Sequence, residues 1–593
     1  MATALTLLVF LLLSTSAIQA SENQFITIVN PVRISRYTKD PSLSLLAEYS
    51  VVKKHGLPAT WLLTYDAMLD KDIASVVAKM DKSQTFGVFL EVTPSFAKAA
   101  QVTYNDTGNW HHAVSVFLSG YSQEDRIKLI DKIFETFKNN FGHYPEVTGS
   151  WWTDAFSLSY MQQKYGIVAN LGVSDQFSTD GYQVWGQPWS TVYYPSKYHP
   201  AVPANSKENK LDVVMFQWAP RDPLNGYRSS LYSTQDYVVT TPKLDTKYFE
   251  KLVNLYAKKN GNLFGQITVG LEADLDPEGY RGEFDRQMGL VRNLIDSGEI
   301  EAKSVKDFSD WYRKEFPEFS PSHKIEAEDL LGSGKRVGWY TSPFYRVGVV
   351  YDIEKNETRI FDLRVYDENL TDPYYLSPNF ENTLSINIPS LIDEISDETS
   401  VRKIKGIAKI DFEERAFFID GEKVEVNNNL KIDKFGRQYK AYSSESVHFF
   451  KRKRAIFDLL LGRGWEYFKK TDFFVPQDEI LALLKLSRLA SGKVLVFDGE
   501  CLQCRYHTKF KHPAFANQRG YVKDYGKHPI VYNSSIFGPN NKDKVKEIIK
   551  RLGVKYIYLV KFEEYIEKLP FSPGDLGVEK IFSNANAEIW RVK

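Results

Sequence analysis

Carboxylates and indoles, rather than thiols or histidines, are the chemically useful groups that this sequence concentrates. Acids and one amide recur where apolar, strand-like runs end: Asn30, Asp66, Glu91, Asp154, Glu272 and Asp274. Two carboxylates facing one cleft can cleave a glycosidic bond, one protonating the leaving oxygen and the other meeting the cationic sugar. Glu272 and Asp274 close the run GQITVGLEADL (265–275) with one residue between them, so an extended chain points both to the same side. A carboxylate at an apolar strand end tends toward a raised pKa through desolvation, which suits a general acid. Asp154 lies in GSWWTDAFSLSYMQQKYGI (149–167), between paired tryptophans and a helix-like run. It could serve as nucleophile or base of the pair; an Asp before a helix can also do no more than cap it. Glu91 stands where it would modulate the charge.

The candidate substrate-binding residues lie in irregular stretches. VSDQFSTDGYQVWGQPWSTVYYPSKYHP (173–200) is long and aromatic, and loops of that length are uncommon unless functional. Trp152 and Trp185 could stack on a sugar, with Asp175 and Asp180 binding hydroxyls. QWAPRDPLNGY (217–227) adds Trp218 and Arg221 at another strand end, and Asn30 adds an amide. An Arg221–Asp222 ion pair of purely structural purpose is the alternative there.

Metal and cofactor chemistry find little footing. His55, His111, His112, His143 and His199 include no pair at the i, i+4 spacing of a helical zinc site, so neither a catalytic metal nor a cofactor is expected. Cys501 and Cys504 form one CxxC near His507 and His512, which leaves zinc, a local disulfide and free thiols all open. No nucleophile elbow and no Gly-rich phosphate loop is present. With 75 basic and 75 acidic residues the chain offers no basic field for nucleic acid.

The first part of the chain alternates strand-like and helix-like runs: FITIVNP (25–31), helix 40–56, a strand from 57, helix 70–82, FGVFLEVTP (86–94), helix 122–142, a strand into WW, helix 156–165 and GIVANLGV (166–173). VVMFQWAP, helix 246–261, GQITVGLEADL and helix 283–298 continue the series. Such β-α units, seven or so over residues 21–320, predict a parallel sheet curled into a closed or nearly closed α/β barrel, whose working site forms at the C-terminal mouth of the strands. From 325 to 450 short strands of period two joined by polar turns predict a β-sandwich. Residues 455–593 read as a small α/β domain. The segment 1–20 has the form of a secretory signal, with a membrane anchor as alternative. An exported protein with an oligo- or polysaccharide partner, and a possible place at the cell surface, is the expectation.

Across residues 25–300 the sequence resembles the glycoside hydrolase and deacetylase barrel group, which implies an incomplete seven-stranded parallel α/β barrel, and most closely glycoside hydrolase family 57. FGVFLEVTP resembles that family's strand ending in Glu-Val-Thr, GSWWTDAFSLSYMQQKYGI its nucleophile motif, and GLEADLDPEGYRGEF its late acid motif. The resemblance implies Asp154 as nucleophile, where the family has glutamate, and Glu272 as general acid. The family's early His-Gln-Pro reads Val29-Asn30-Pro31 here. The deacetylase branch uses an Asp-His-His metal set whose histidines this chain lacks. A metal-independent glycosidic hydrolase or transferase is therefore expected, with a non-catalytic glycan-binding protein and a polysaccharide deacetylase as alternatives.

Overall fold

The computed structural model describes residues 22–35, 40–175, 182–240, 244–273, 277–366, 370, 372–375, 378–388, 390–395 and 401–426, with shorter segments beyond, among them 492–497, 530–532, 542–561, 572–584 and 587–593. The leader-like residues 1–20, Asp180, Asp274, Cys501 and Cys504 lie outside the described residues. Among the described residues no helix is long and apolar enough to cross a membrane.

Seven parallel strands form the first unit: β1 (Gln24–Val32), β2 (Thr60–Leu63), β3 (Thr85–Phe89), β4 (Val147–Gly149), β5 (Ala169–Val173), β6 (Val214–Trp218) and β7 (Gly265–Val269). They pair in the order β7-β1-β2-β3-β4-β5-β6. The edge strands β6 and β7 approach each other without forming a ladder, so the barrel is nearly closed. Alternation sorts the side chains as a pleated strand requires. Phe25, Val29, Leu62, Phe89, Val147, Leu171 and Phe216 share one core. Ile26, Ile28, Trp61, Leu63 and Val88 join a second, under the surrounding helices.

Those helices include α1 (Pro41–Lys54), α2 (Gln123–Phe141), α3 (Ala155–Tyr165), α4 (Thr246–Ala257), α5 (Pro277–Asp296) and α6 (Val305–Glu315). The helix α6, which periodicity did not reveal, seals the bottom of the barrel. Val305 N donates to Thr60 Oγ1 at 3.1 Å, where β2 starts, and Phe308 meets Phe25 at 5.3 Å and Phe216 at 5.5 Å.

Around Gly149 the barrel interior is tightly packed. A Cβ added to Gly149 would lie 2.7 Å from Leu62 Cδ1 and 3.1 Å from Leu171 Cβ. Gly149→Ala is expected to cost about 1–3 kcal/mol of stability by overpacking, read as a lower urea midpoint at unchanged slope.

The second unit is antiparallel. His323–Glu328, Arg336–Thr341, Tyr345–Asp352 and Glu357–Val365 form a meander that Ser390–Asp393 and Arg402–Lys405 extend. A three-stranded sheet, Ile410–Glu413, Ala416–Ile419 and Glu422–Glu425, shares a core with it through Phe417, Ile419 and Val424 against Tyr345, Val347 and Leu363. The described residues 372–375 and 378–388 lie on the barrel. Their strand Leu384–Asn387 pairs in parallel with Tyr182–Trp185, Ala113 N donates to Asn382 O at 2.8 Å, and Asn379 N to Ser119 O at 2.6 Å. At the C-terminal end Ile530–Tyr532, Lys493–Phe497, Val554–Val560, Ala587–Arg591 and Glu579–Ser583 make a small mixed sheet beside the helix Lys542–Leu552.

Candidate active site

Three strand ends deliver one charged cluster. Arg33 follows β1 directly, Glu91 stands two residues beyond β3, and Glu272 three beyond β7. Arg33 grips Glu91 with two nitrogens, Nε to Oε2 at 2.9 Å and Nη2 to Oε1 at 2.8 Å, and holds Glu272 Oε2 with Nη1 at 2.7 Å. The side chains of Arg33 and Glu91 are 5% and 8% exposed, whereas Glu272 is 18% exposed and faces the opening. Gln235 Nε2 donates to Glu272 Oε1 at 3.3 Å. The Arg33 guanidinium lies 5.5 Å from the rings of both Trp110 and Trp151, a cation–π arrangement that fixes it between aromatic walls. Trp151 is braced by Phe89 at 4.8 Å and Trp218 at 5.9 Å.

Local chain geometry explains how Glu272 reaches the cluster. Gly270 has φ +152°, and a Cβ there would lie 1.8 Å from Val29 O. Only glycine lets the chain cross so close to β1. Asn30 Oδ1 accepts from Leu271 N at 2.9 Å, and Ala273 N donates to Pro31 O at 2.9 Å, so the turn is pinned to β1 on both sides of Glu272. Asn30 is therefore a scaffold for the acid; its Nδ2 is buried without a partner. Burial, then Asp236 and Glu272, raise the pKa of the nearby Tyr280 phenol. Asp66 is a separate acid at the rim, accepting from Thr93 Oγ1 at 2.6 Å and from Ser95 Oγ.

Asp154 occupies a different place from the one its sequence context suggests. It is fully buried as the N-cap of α3, accepting from Ser157 N at 3.0 Å, Ser157 Oγ at 2.6 Å and Arg126 Nη1 at 2.8 Å. Its carboxylate caps the helix and pairs with an arginine, so the acid that shares a cation with Glu272 is Glu91. Arg33 and Arg126, which organise these acids, were not picked out from sequence. Arg126 left a signal: it falls on the apolar stripe of α2 with Leu129, Ile130, Ile133 and Phe137.

The residues expected to bind substrate are mostly walled in. Asp175 accepts from Arg346 Nη1 and, at 3.2 Å, from Gly186 N. Trp185 Nε1 donates to Asp393 at 3.3 Å, so both residues bind the barrel to the sandwich. Arg221 is buried; burial pushes its pKa down to about 10, against the pull of Asp236 and Asp175. Arg221 and Asp222 are not an ion pair: Asp222 accepts from Tyr248 OH at 2.7 Å and organises its own turn. Trp218 is buried behind Trp151, the indole that faces Arg33. Trp152, also buried, lines a small internal cavity with Asn170, Gln187 and Gln217 that has room for about one water molecule.

Two histidines, His199 and His323, behave as core residues. His199 lies 6.5 Å from Trp152, and burial lowers its pKa to about 3; burial lowers that of His323 to about 4. An unfolded chain protonates both near pH 6.5, so stability is expected to fall as pH drops below that value toward 4. Denaturant titrations at pH 7 and pH 5 check this, and His199→Gln with His323→Gln should flatten the decline.

Among the described residues no group of three or more His, Cys, Asp or Glu could hold a metal ion. At the mouth a guanidinium, not a donor set, stands between the two carboxylates, so the residues there do not fit a metal.

No family model matches the sequence, and no curated protein matches it. Solved structures do resemble it. One is a chain from Parabacteroides distasonis described as a glycoside hydrolase/deacetylase, with 16% identity and a TM-score of 0.46, covering 63% of this chain and 92% of its own. Another is a family 4 acetyl xylan esterase from Clostridium thermocellum in complex with a cobalt ion, with 11% identity and a TM-score of 0.25, covering 49% of this chain and 92% of its own. A third is a family 4 carbohydrate esterase from Streptomyces lividans in complex with acetate, with 10% identity and a TM-score of 0.24, covering 48% of this chain and 93% of its own.

Proposed function

We propose that this chain is a carbohydrate-active enzyme that hydrolyses or transfers a glycosidic bond at the Arg33–Glu91–Glu272 cluster. The observation that carries the reading is the unequal grip of one arginine on two acids. Arg33 holds both oxygens of Glu91, one by a hydrogen bond at 2.9 Å and the other by an ion-pair contact at 2.8 Å, and a nearby cation favours the charged form of a carboxylate, which suits Glu91 as nucleophile or base. Glu272, held by a single Arg33 nitrogen and more open, loses that contact when a sugar displaces it. Desolvated by the substrate, it is then the more readily protonated acid. Two hydrogen bonds and the width of a guanidinium limit the separation of the bonded oxygens to at most about 8 Å, a limit that is compatible with the spacings two-carboxylate glycosidases use. Trp110, half-buried over Arg33, supplies a stacking wall.

Arg33 favours one second reading. A fixed guanidinium beside a carboxylate base can stabilise an oxyanion, as removal of an acyl group from a glycan requires. A panel of plain and acetylated glycans, assayed for new reducing ends and for released acetate, distinguishes the two. Wild type is compared with Glu91→Gln, Glu272→Gln and Asp154→Asn. Activity surviving both Glu91→Gln and Glu272→Gln overturns the assignment; binding without turnover makes the chain a glycan-binding protein. Residues 1–20 have the form of a secretory signal, and an exported enzyme acting on a glycan outside the cytoplasm is part of this proposal.

A further inference from the structure

A row of aromatic rings runs along the outer side of α3, apart from the Arg33–Glu91–Glu272 cluster. Phe156 and Tyr160 share the face of α3 that points away from its buried Leu158 and Met161. Their ring planes agree within 11° at a centroid separation of 6.4 Å. Tyr375 meets Phe156 edge-on at 6.2 Å, and at the other end Tyr165 stands 6.4 Å from Tyr160 and 4.9 Å from Tyr144. All five residues are half-buried. At 1.5 Å per residue, Phe156 to Tyr165 alone covers about 14 Å of the helix. Packing in the seam between α2 and α3 accounts for Tyr165, which meets Phe134 at 4.4 Å. It does not account for Phe156, which among the described residues joins neither barrel core. Polar groups interleave the rings. Asp131 on α2 accepts from Tyr160 OH at 2.8 Å, from Tyr165 OH at 2.7 Å and, at both oxygens, from Lys164 Nζ at 2.8 Å. Lys138 Nζ lies 4.5 Å from the centre of the Tyr144 ring, whose hydroxyl donates to Glu135. These bonds fix the phenols yet leave charge at the surface: the Asp131 and Lys164 side chains are 33% and 45% exposed.

We propose that this row is a second glycan-binding surface, which holds a polysaccharide chain against the side of the barrel while the mouth works on one of its bonds. The choice of a glycan rests on the proposed function, and the chemistry of the surface supports it separately. A sugar ring presents a face of C–H groups and an edge of hydroxyls. Aromatic rings suit the first, and charged side chains between them suit the second. Asp131 and Glu135 balance Lys138 and Lys164, so a nucleic acid or an anionic lipid headgroup meets no net counter-charge. A dry protein interface fits poorly, because Lys, Glu and Asp are depleted at the centre of such interfaces. Phenols already tied to Asp131 lose little freedom when a chain settles on them. The row also has a direction. The helix α3 begins just beyond the C-terminal end of β4, so the rings lead away from the mouth along the outside of the molecule.

Native electrophoresis of the full chain through gels containing xylan, glucomannan, hydroxyethyl cellulose or amylopectin tests this. The wild type should be retarded in at least one gel, relative to a gel without polysaccharide. Phe156→Ala and Tyr160→Ala should each weaken that retention by about two- to tenfold, the worth of one aromatic contact. Each should also raise KM for the long chain and leave kcat/KM on short oligosaccharides unchanged. Phe156→Ala should keep the thermal midpoint, since neither core holds that ring, and it carries the test if Tyr160→Ala does not fold. Absence of retention in every gel, or equal retention of the wild type and Phe156→Ala, overturns the surface. Retention that Phe156→Ala weakens, without turnover of any of these glycans by the wild type, supports the surface and counts against the catalytic reading alone.

Discussion

Arg346→Met is expected to lower the free energy of unfolding by about 3–5 kcal/mol, because it strips the cation from buried carboxylates. Arg346 binds Asp362 with Nε at 2.9 Å and Nη2 at 2.8 Å, and its Nη1 reaches both Asp175 and, at 2.7 Å, Gln187 O. Arg364 binds Asp362, Asp393 at 2.8 Å and Ile388 O at 2.9 Å. Tyr227 OH lies within hydrogen-bond reach of Asp362 at 2.9 Å and Asp393 at 3.0 Å, and its one proton serves the two carboxylates between them. Burial works to lower the pKa of Arg346, and its anionic neighbours, Asp175 foremost, reverse this, so the guanidinium stays charged. Asp175 comes from the barrel and the other four charges from the sandwich. Losing one arginine leaves three aspartates facing one cation where almost no water enters. Urea titration gives the measure, and a loss below about 1 kcal/mol would show that the network relaxes into solvent. Replacing the whole set by apolar residues is expected to cost far less, since such networks fix geometry more than they add stability.

Glu272→Gln should reduce turnover on the responsive glycan by about 10²–10⁴-fold with the fold intact, the usual cost of losing a general acid. Glu91→Gln should do at least as much, since it removes both the base and the partner that fixes Arg33. The distinguishing variant is Asp154→Asn. If Asp154 only caps α3 and pairs with Arg126, its change lowers the melting temperature, and the protein that remains folded turns over substrate. Comparing kcat at 20 °C with thermal midpoints separates these cases. Activity lost in Asp154→Asn at full folding would restore the carboxylate to the chemistry.

Much of the barrel was legible because its strands are short apolar runs followed by amphipathic helices with clear stops. GQITV and its successor helix, or the 122–142 run ending at Gly142, needed no tertiary knowledge. The helix α5 begins six residues earlier than its periodicity suggested, at Pro277, because proline is well placed in a first turn. The clustering of acids beyond strand ends was also readable, and Glu91 and Glu272 do converge. What pattern could not show is which acids receive a cation. That depends on Arg33 and Arg126, residues distant in sequence from at least one carboxylate each binds. Trp185 and Asp175 misled for a related reason: a long aromatic loop reads the same whether it roofs a ligand or a second domain. Here the sandwich covers it.

The indoles of Trp189 and Trp339 lie parallel within 1° at a centroid separation of 4.2 Å, one on a barrel loop and the other on the sandwich. At this range the intense far-ultraviolet transitions of the two indoles couple, and where the two dipoles are turned relative to each other the coupling gives a bisignate dichroism band. The molecule thus carries an intrinsic optical gauge of whether its two main units are seated together. The band should vanish on their separation, ahead of any loss of helical signal, with no dye or label attached.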